Sequence, residues 1–246
     1  MTTKENMNTY RTTARVVGVL FLAGMVVGVV GHGLIESTLG APHYLSTVSA
    51  NSMMVAIGAM LMLMTAVWDA AHGVLMFPVL KQHNERIALG YLGARVVDCV
   101  FLAVQVLFVL LQIPLGREYL EAGVADTSYL QALSTLSIQA NLYAYQIGMI
   151  AVGLAGLMLC YMFYRAKLVP RLVAVWGLVG YAILLCGSVS EVLGFGLGLI
   201  PSIPGGLFEL FIGVWLIAKG FNSSAIASGS AKTDINERDK VSLSKA

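Results

Sequence analysis

Charged side chains are what this sequence most lacks, and their scarcity decides its class. They form 11% of the chain against 58% hydrophobic residues, with a mean hydropathy of +0.81; a soluble domain carries roughly 25% charged residues. Between Arg15 and Lys81 the only acidic or basic side chains are Glu36 and Asp69. None occurs between Asp126 and Arg165, and only Glu191 and Glu209 occur between Arg171 and Lys219. A net charge of +2 with no clustered basic face excludes nucleic acid as a partner. Three cysteines, Cys99, Cys160 and Cys186, all lie in apolar runs, which fits small packing residues and not a disulfide framework or metal site. No nucleophile elbow, HExxH, phosphate-binding Gly-rich loop with lysine or haem-attachment CxxCH is present, so no cofactor is expected.

What is present is a set of apolar runs of membrane-spanning length, about 18 residues or more. Six spans are expected: Ala14–Ile35, Met53–Leu80, Tyr91–Ile113, Leu136–Tyr164, Leu172–Phe195 and Ile203–Ala218. The chain therefore reads as an all-α, polytopic bundle of six transmembrane helices over residues 14–220. Residues 1–13 precede it, and a polar, small-residue segment over 221–246 is expected to be a disordered tail. Lys4, Arg11 and Arg15 precede the first span, Lys81 and Arg86 fill the second connection, and Arg165, Lys167 and Arg171 the fourth. The first and fifth connections have no Lys or Arg, and the third sets Arg117 against Glu118, Glu121 and Asp126. By the positive-inside rule both termini are expected in the cytoplasm. A cleaved signal peptide is disfavoured, because the polar lead is long and Leu39–Ala41 is a poor cleavage site.

The apolar runs echo one another. ARVVGVLFLA (Ala14–Ala23) returns as ARVVDCVFLA (Ala94–Ala103), with Asp98 in the place of Gly18. RLVAVWGLVG (Arg171–Gly180) is a third version, and VWDAAHG (Val67–Gly73) aligns with VWLIAKG (Val214–Gly220). The pattern suggests three helical hairpins in parallel, although composition alone makes membrane helices resemble one another. Arg15 and Arg171 open their spans at the surface, where arginine snorkels. Arg95 either does the same or lies deeper, where it needs a partner.

Asp98 lies one turn beyond Arg95, and Asp69 and His72 share a face at similar depth on the preceding helix. These four can meet within the bundle, as a polar clamp between two helices or as a functional site. A second group is expected toward the outside. His32 and Glu36 share a face at the end of the first span, and Glu191 and Glu209 flank the Gly- and Pro-rich connection Gly194–Gly206, so their carboxylates are expected to face each other and bind ligand or proton. One histidine with three carboxylates in no recognised spacing is a poor metal site, and no metal is expected. The connection reads as a tight turn or as a re-entrant kink lining a cavity. Gln105, Gln112, Gln139, Asn141 and Gln146 add hydrogen-bonding groups, Gln146 being a weaker site candidate; such amides often fasten membrane helices.

Two segments, YRAKLVPRLVAVWGLVGY (Tyr164–Tyr181) and FELFIGVWLIAKGF (Phe208–Phe221), together with Arg95 and Asp98, resemble a bacterial six-helix integral membrane family catalogued only as a domain of unknown function, the 4386 type. In that family's third helix the acid is more usually glutamate. The resemblance covers nearly all of the apolar part and implies a multi-pass protein of the bacterial inner membrane, without supplying an activity. Three function classes stay open: a carrier or small-ligand or ion-binding bundle, with Asp69, Asp98, Glu191 and Glu209 titrating along a path; an intramembrane acid/base enzyme acting on a lipid or isoprenoid-like substrate; and an anchor or signalling partner without chemistry. The lipid bilayer is the one partner all three share, and the oligomeric state is open.

Overall fold

The computed structural model describes residues 3–122 and 127–227. Asp126 and the polar segment from 228 onward lie outside the described residues. The rest is helical, without strands: α1 (Thr3–Leu39), α2 (Tyr44–Ala50), α3 (Ser52–Lys81), α4 (Glu85–Leu110), α5 (Gln112–Glu121), α6 (Ser128–Ala166), α7 (Arg171–Val192) and α8 (Ile203–Ala218). Six helical stretches are long and apolar enough to cross a membrane, one for each expected span. Several helices outrun those spans; α6, for example, begins at Ser128 rather than near Leu136. A helix need not stop where the lipid does, because its backbone groups stay paired within the helix in water as well.

Local chemistry sets the ends. Asn84 caps α4, its side chain accepting the Ile87 N–H at 3.1 Å. Lys167 closes α6 in the left-handed conformation (φ 55°), and Pro170 then opens α7. Consecutive long helices are antiparallel neighbours. α1 packs on α3, α3 on α4, α4 on α6, α6 on α7, α7 on α8, and α8 again on α1, which closes a ring. One end of the ring collects Arg11, Arg15, Lys81, Arg86, Arg165, Lys167, Arg171 and Lys219, and is called the basic end below. At the opposite end α2 packs on α5, so closely that a Cβ on Gly116 would lie 2.6 Å from the Leu45 carbonyl oxygen.

Apolar packing in a bilayer depends on close approach, since lipid tails offer no hydrophobic drive for one helix to bind another. A Cβ on Gly18 would lie 2.6 Å from the Gly213 carbonyl oxygen, where α1 meets α8. A Cβ on Gly58 would come within 2.9 Å of the Gly31 carbonyl oxygen, where α1 meets α3. Two buried apolar clusters result. The larger, toward the basic end, includes Val17, Phe21, Met76, Tyr91, Leu159, Phe163, Tyr181 and Phe208. The smaller, toward the opposite end, includes Ile35, Val48, Val55, Met62 and Val106. Along α3, Asp69 and His72 fall between them, and along α4 so do Arg95 and Asp98.

The segment after α8 begins packed rather than free. The Asn222 N–H donates to the Leu168 carbonyl at 2.9 Å, and Ala225 and Ile226 are buried in the larger cluster. The connection Gly194–Gly206 is a surface turn with a short 3-10 segment (Ile200–Ser202), its Phe195, Leu199 and Ile200 exposed. Pro201 turns inward against Gly187, and Gly205, already in the first turn of α8, packs against Gly180.

Candidate functional site

The polar layer is assembled from four helices at matching depth. From Lys81, Asp69 lies roughly 18 Å along α3. From Glu85, Arg95 lies roughly 15 Å into α4, and from Arg171, Tyr181 lies about as far into α7. Glu209 is roughly 14 Å from the basic end of α8. Each depth matches about half of a 30 Å hydrocarbon layer.

Arg95 is 1% exposed and does not snorkel. Its Nη1 donates to Asp69 Oδ1 at 2.9 Å and to Asp98 Oδ2 at 3.4 Å, so a single nitrogen bridges α3 and α4. Gly73 makes the approach possible, because a Cβ there would lie 3.1 Å from the Arg95 Cβ. The guanidinium carbon lies 5.7 Å from the centroid of the Tyr91 ring, one turn earlier on the same helix face. His72 is 3% exposed, its Nε2 donating to the Val17 carbonyl of α1 at 3.2 Å, with the Phe21 ring at 4.3 Å between centroids. A neutral imidazole that donates from Nε2 leaves Nδ1 as an acceptor.

Glu209 joins this layer from α8. It accepts the Tyr181 hydroxyl at 2.8 Å. Together with Asp69 and His72 it lines a cavity of about 150 Å³ between α1, α3 and α8, otherwise walled by Phe21, Met25, Thr65 and Trp68 among others. Tyr145 of α6 lies near Asp98 and Glu209. Among the described residues, four buried polar atoms of the layer have no hydrogen-bond partner: His72 Nδ1, the Tyr91 hydroxyl, Arg95 Nε and Asp98 Oδ1. Two carboxylates therefore pair with one guanidinium, and a third, Glu209, pairs with a neutral hydroxyl. An unmatched buried charge costs several kcal/mol, and one guanidinium leaves two of the three acids to be balanced by protons or cations.

Of the expected site residues, Asp69, His72, Arg95, Asp98 and Glu209 come together. Glu191 does not join them. It stands roughly 15 Å beyond Tyr181 along α7, where its carboxylate accepts the Gly198 N–H of the surface turn at 2.5 Å. The shared Glu191–Glu209 site expected from the sequence is thus not formed: the turn joining the two helices spends several residues at the surface before α8 begins, and Glu209 already lies two turns down. His32 and Glu36 are exposed at the end of α1. Among the described residues no group of three His, Cys, Asp or Glu side chains is placed to hold a metal ion. Gln146 is half-buried on α6 beside Tyr145. Two of the other amides fasten helices: Asn141 Nδ2 donates to the Gln105 backbone carbonyl at 3.1 Å, and the Ser134 hydroxyl donates to Gln112 Oε1.

Sequence reasoning missed Tyr91, Tyr181, Phe21 and Tyr145. For Tyr91 a signal existed, since it precedes Arg95 by one helical turn. Tyr181 had none, because its pairing with Glu209 depends on how α7 crosses α8.

A closed ring of six apolar helices with an ionisable layer at its middle defines a multi-pass membrane protein with an internal polar site. The chain belongs to the family described as Domain of unknown function (DUF4386), which matches residues 16–220. No curated protein and no solved structure matches it.

Proposed function

We propose that the protein is a carrier that binds a small cation, or a proton in its place, at the layer formed by Asp69, His72, Arg95, Asp98 and Glu209. The observation that carries this reading is the excess of acid: Asp69 and Asp98 share one arginine, and a third carboxylate, Glu209, faces the cavity with Asp69 and His72. A purely structural clamp is satisfied by one acid per arginine; a surplus acid at a membrane midplane is costly and marks an ion or proton path. The cavity is sized for an ion or a few small groups rather than for a lipid-like substrate, which favours binding over intramembrane catalysis. Bacterial inner-membrane placement, with both termini cytoplasmic, is part of the proposal. Its support is the gathering of Lys and Arg at the end that holds both the start of α1 and the close of α8.

Proteoliposomes holding an imposed pH gradient test the reading. A panel of alkali cations and small protonated amines is added outside, and internal pH is followed. At least one cation should collapse the gradient through the wild type; Glu209→Gln and Asp69→Asn should abolish this, and Glu191→Gln should preserve it. Gradients that decay identically with wild type and Glu209→Gln would refute the carrier. Orientation is checked separately with C-terminal reporters: a fusion active only outside the cell reverses it.

A further inference from the structure

The basic end holds a second concavity, far from the acid layer. It has a volume of about 560 Å³ and is enclosed by the α6–α7 connection and the end of α8. Two left-handed turns build it: Lys167 (φ 55°) ends α6, and Gly220 (φ 71°) turns the chain after α8. The Asn222 N–H then donates to the Leu168 carbonyl and ties the two turns together. Its floor is apolar, from buried Leu168 with Trp215 and Phe221, and its rim carries Lys167, Arg171 and Lys219. Among the described residues no carboxylate forms an ion pair with any of these three cations. The Arg171 guanidinium lies 5.5 Å from the centroid of the Tyr164 ring, which orients it without neutralising it. Arg171 also opens α7, whose first amide groups have no side-chain cap and, like any helix start, favour an anion.

We infer that this concavity binds the headgroup of an anionic phospholipid, with the phosphate among Lys167, Arg171 and Lys219 and the upper acyl chain against Trp215 and Phe221. Its volume falls in the range of roughly 300–1,000 Å³ typical of ligand pockets. It lies at the depth where tryptophan and basic side chains meet the lipid headgroups. Free phosphate would have no use for the apolar floor. The inference is independent of the proposed carrier site.

Delipidated full-length protein in detergent, titrated with phosphatidylglycerol or phosphatidylcholine and read by native mass spectrometry, tests it. The wild type should retain phosphatidylglycerol in clear preference to phosphatidylcholine. Lys167→Gln and Lys219→Gln, both at exposed positions, should each weaken that retention about fivefold, with unchanged circular dichroism and unchanged phosphatidylcholine binding. Equal retention of both lipids, or a preference untouched in the double variant, overturns the inference. Displacement of phosphatidylglycerol by millimolar inorganic phosphate would assign the site to the free anion and overturn the lipid as its occupant.

Discussion

Arg15, Arg95 and Arg171 begin three similar stretches of sequence and end in two different environments. Arg15 and Arg171 are exposed near the basic end. Arg95 is buried, bound to two carboxylates. The difference lies in what comes before them. Pro170 starts α7 directly at Arg171, and the part of α1 before Arg15 (TKENMNTYRTTA) is polar, whereas Arg95 follows the more apolar ERIALGYLGA of α4 and is carried nearly three turns into the bundle. The fourth position of the motif follows the same logic. Gly18 lets α1 press on Gly213 of α8, Ala174 is fully buried, and Asp98 answers Arg95. One motif serves twice as a packing surface and once as half of a polar site.

The largest expected effect breaks this contrast directly. Arg95→Ala leaves Asp69 and Asp98 without a counter-charge and should destabilise the fold by roughly 3–5 kcal/mol, whereas Arg15→Ala should stay within about 0.5 kcal/mol. Thermal unfolding in detergent measures both, and equal losses would mean that Arg95 is no more buried than Arg15. Combining Arg95→Met with Asp69→Asn and Asp98→Asn removes all three charges and should recover most of the loss, because neutral packing replaces a buried ionic group at little cost. If the triple variant is as unstable as Arg95→Ala, packing around the arginine stem, not charge, explains the deficit.

Smaller effects sharpen the packing side of the comparison. Gly18→Val places methyl groups against the Gly213 carbonyl and should cost about 1–3 kcal/mol, while Gly33→Val, with no atom near its added Cβ, should cost distinctly less. Equal melting temperatures for the two would argue against close contact between α1 and α8. Ser134→Ala deletes the hydrogen bond to Gln112 and should cost about 0.6–1.7 kcal/mol, the range for single polar contacts between membrane helices. Glu191→Gln should be nearly silent in stability, within about 0.5 kcal/mol, since an amide oxygen still accepts the Gly198 N–H.

Much of the architecture was readable before any coordinates. Membrane-spanning stretches follow from hydrophobic length, and helical depth counted from the basic residues that bracket α3 and α4 allows Asp69 to meet Arg95 without deciding between that and a snorkelling arginine. Glu191 and Glu209 are neighbours along the chain but not in space, each bonded to a different part of the fold. Six residues of α8 separate Glu209 from Ile203, enough to move it about 9 Å along the axis, and Glu191 stays where α7 ends. The packed start of the C-terminal segment was also hidden, since Ala225 and Ile226 are too few to register as an apolar run.

Local sequence is enough to make the chain a six-span helical membrane protein, to gather its basic residues at one end and to mark the few ionisable residues inside its apolar runs, Glu191 among them. These depend on periodicity, length and composition, which are local properties. Tertiary structure alone decided that α8 returns to α1 and closes the ring. That closure brings Glu209 to Asp69 and His72 and leaves a cavity between them, while the crossing of α7 on α8 gives it Tyr181 as donor. A carboxylate's partner across a bundle is set by crossing angles and by where glycines let backbones meet, and those are properties of pairs of helices that neither helix's sequence states alone.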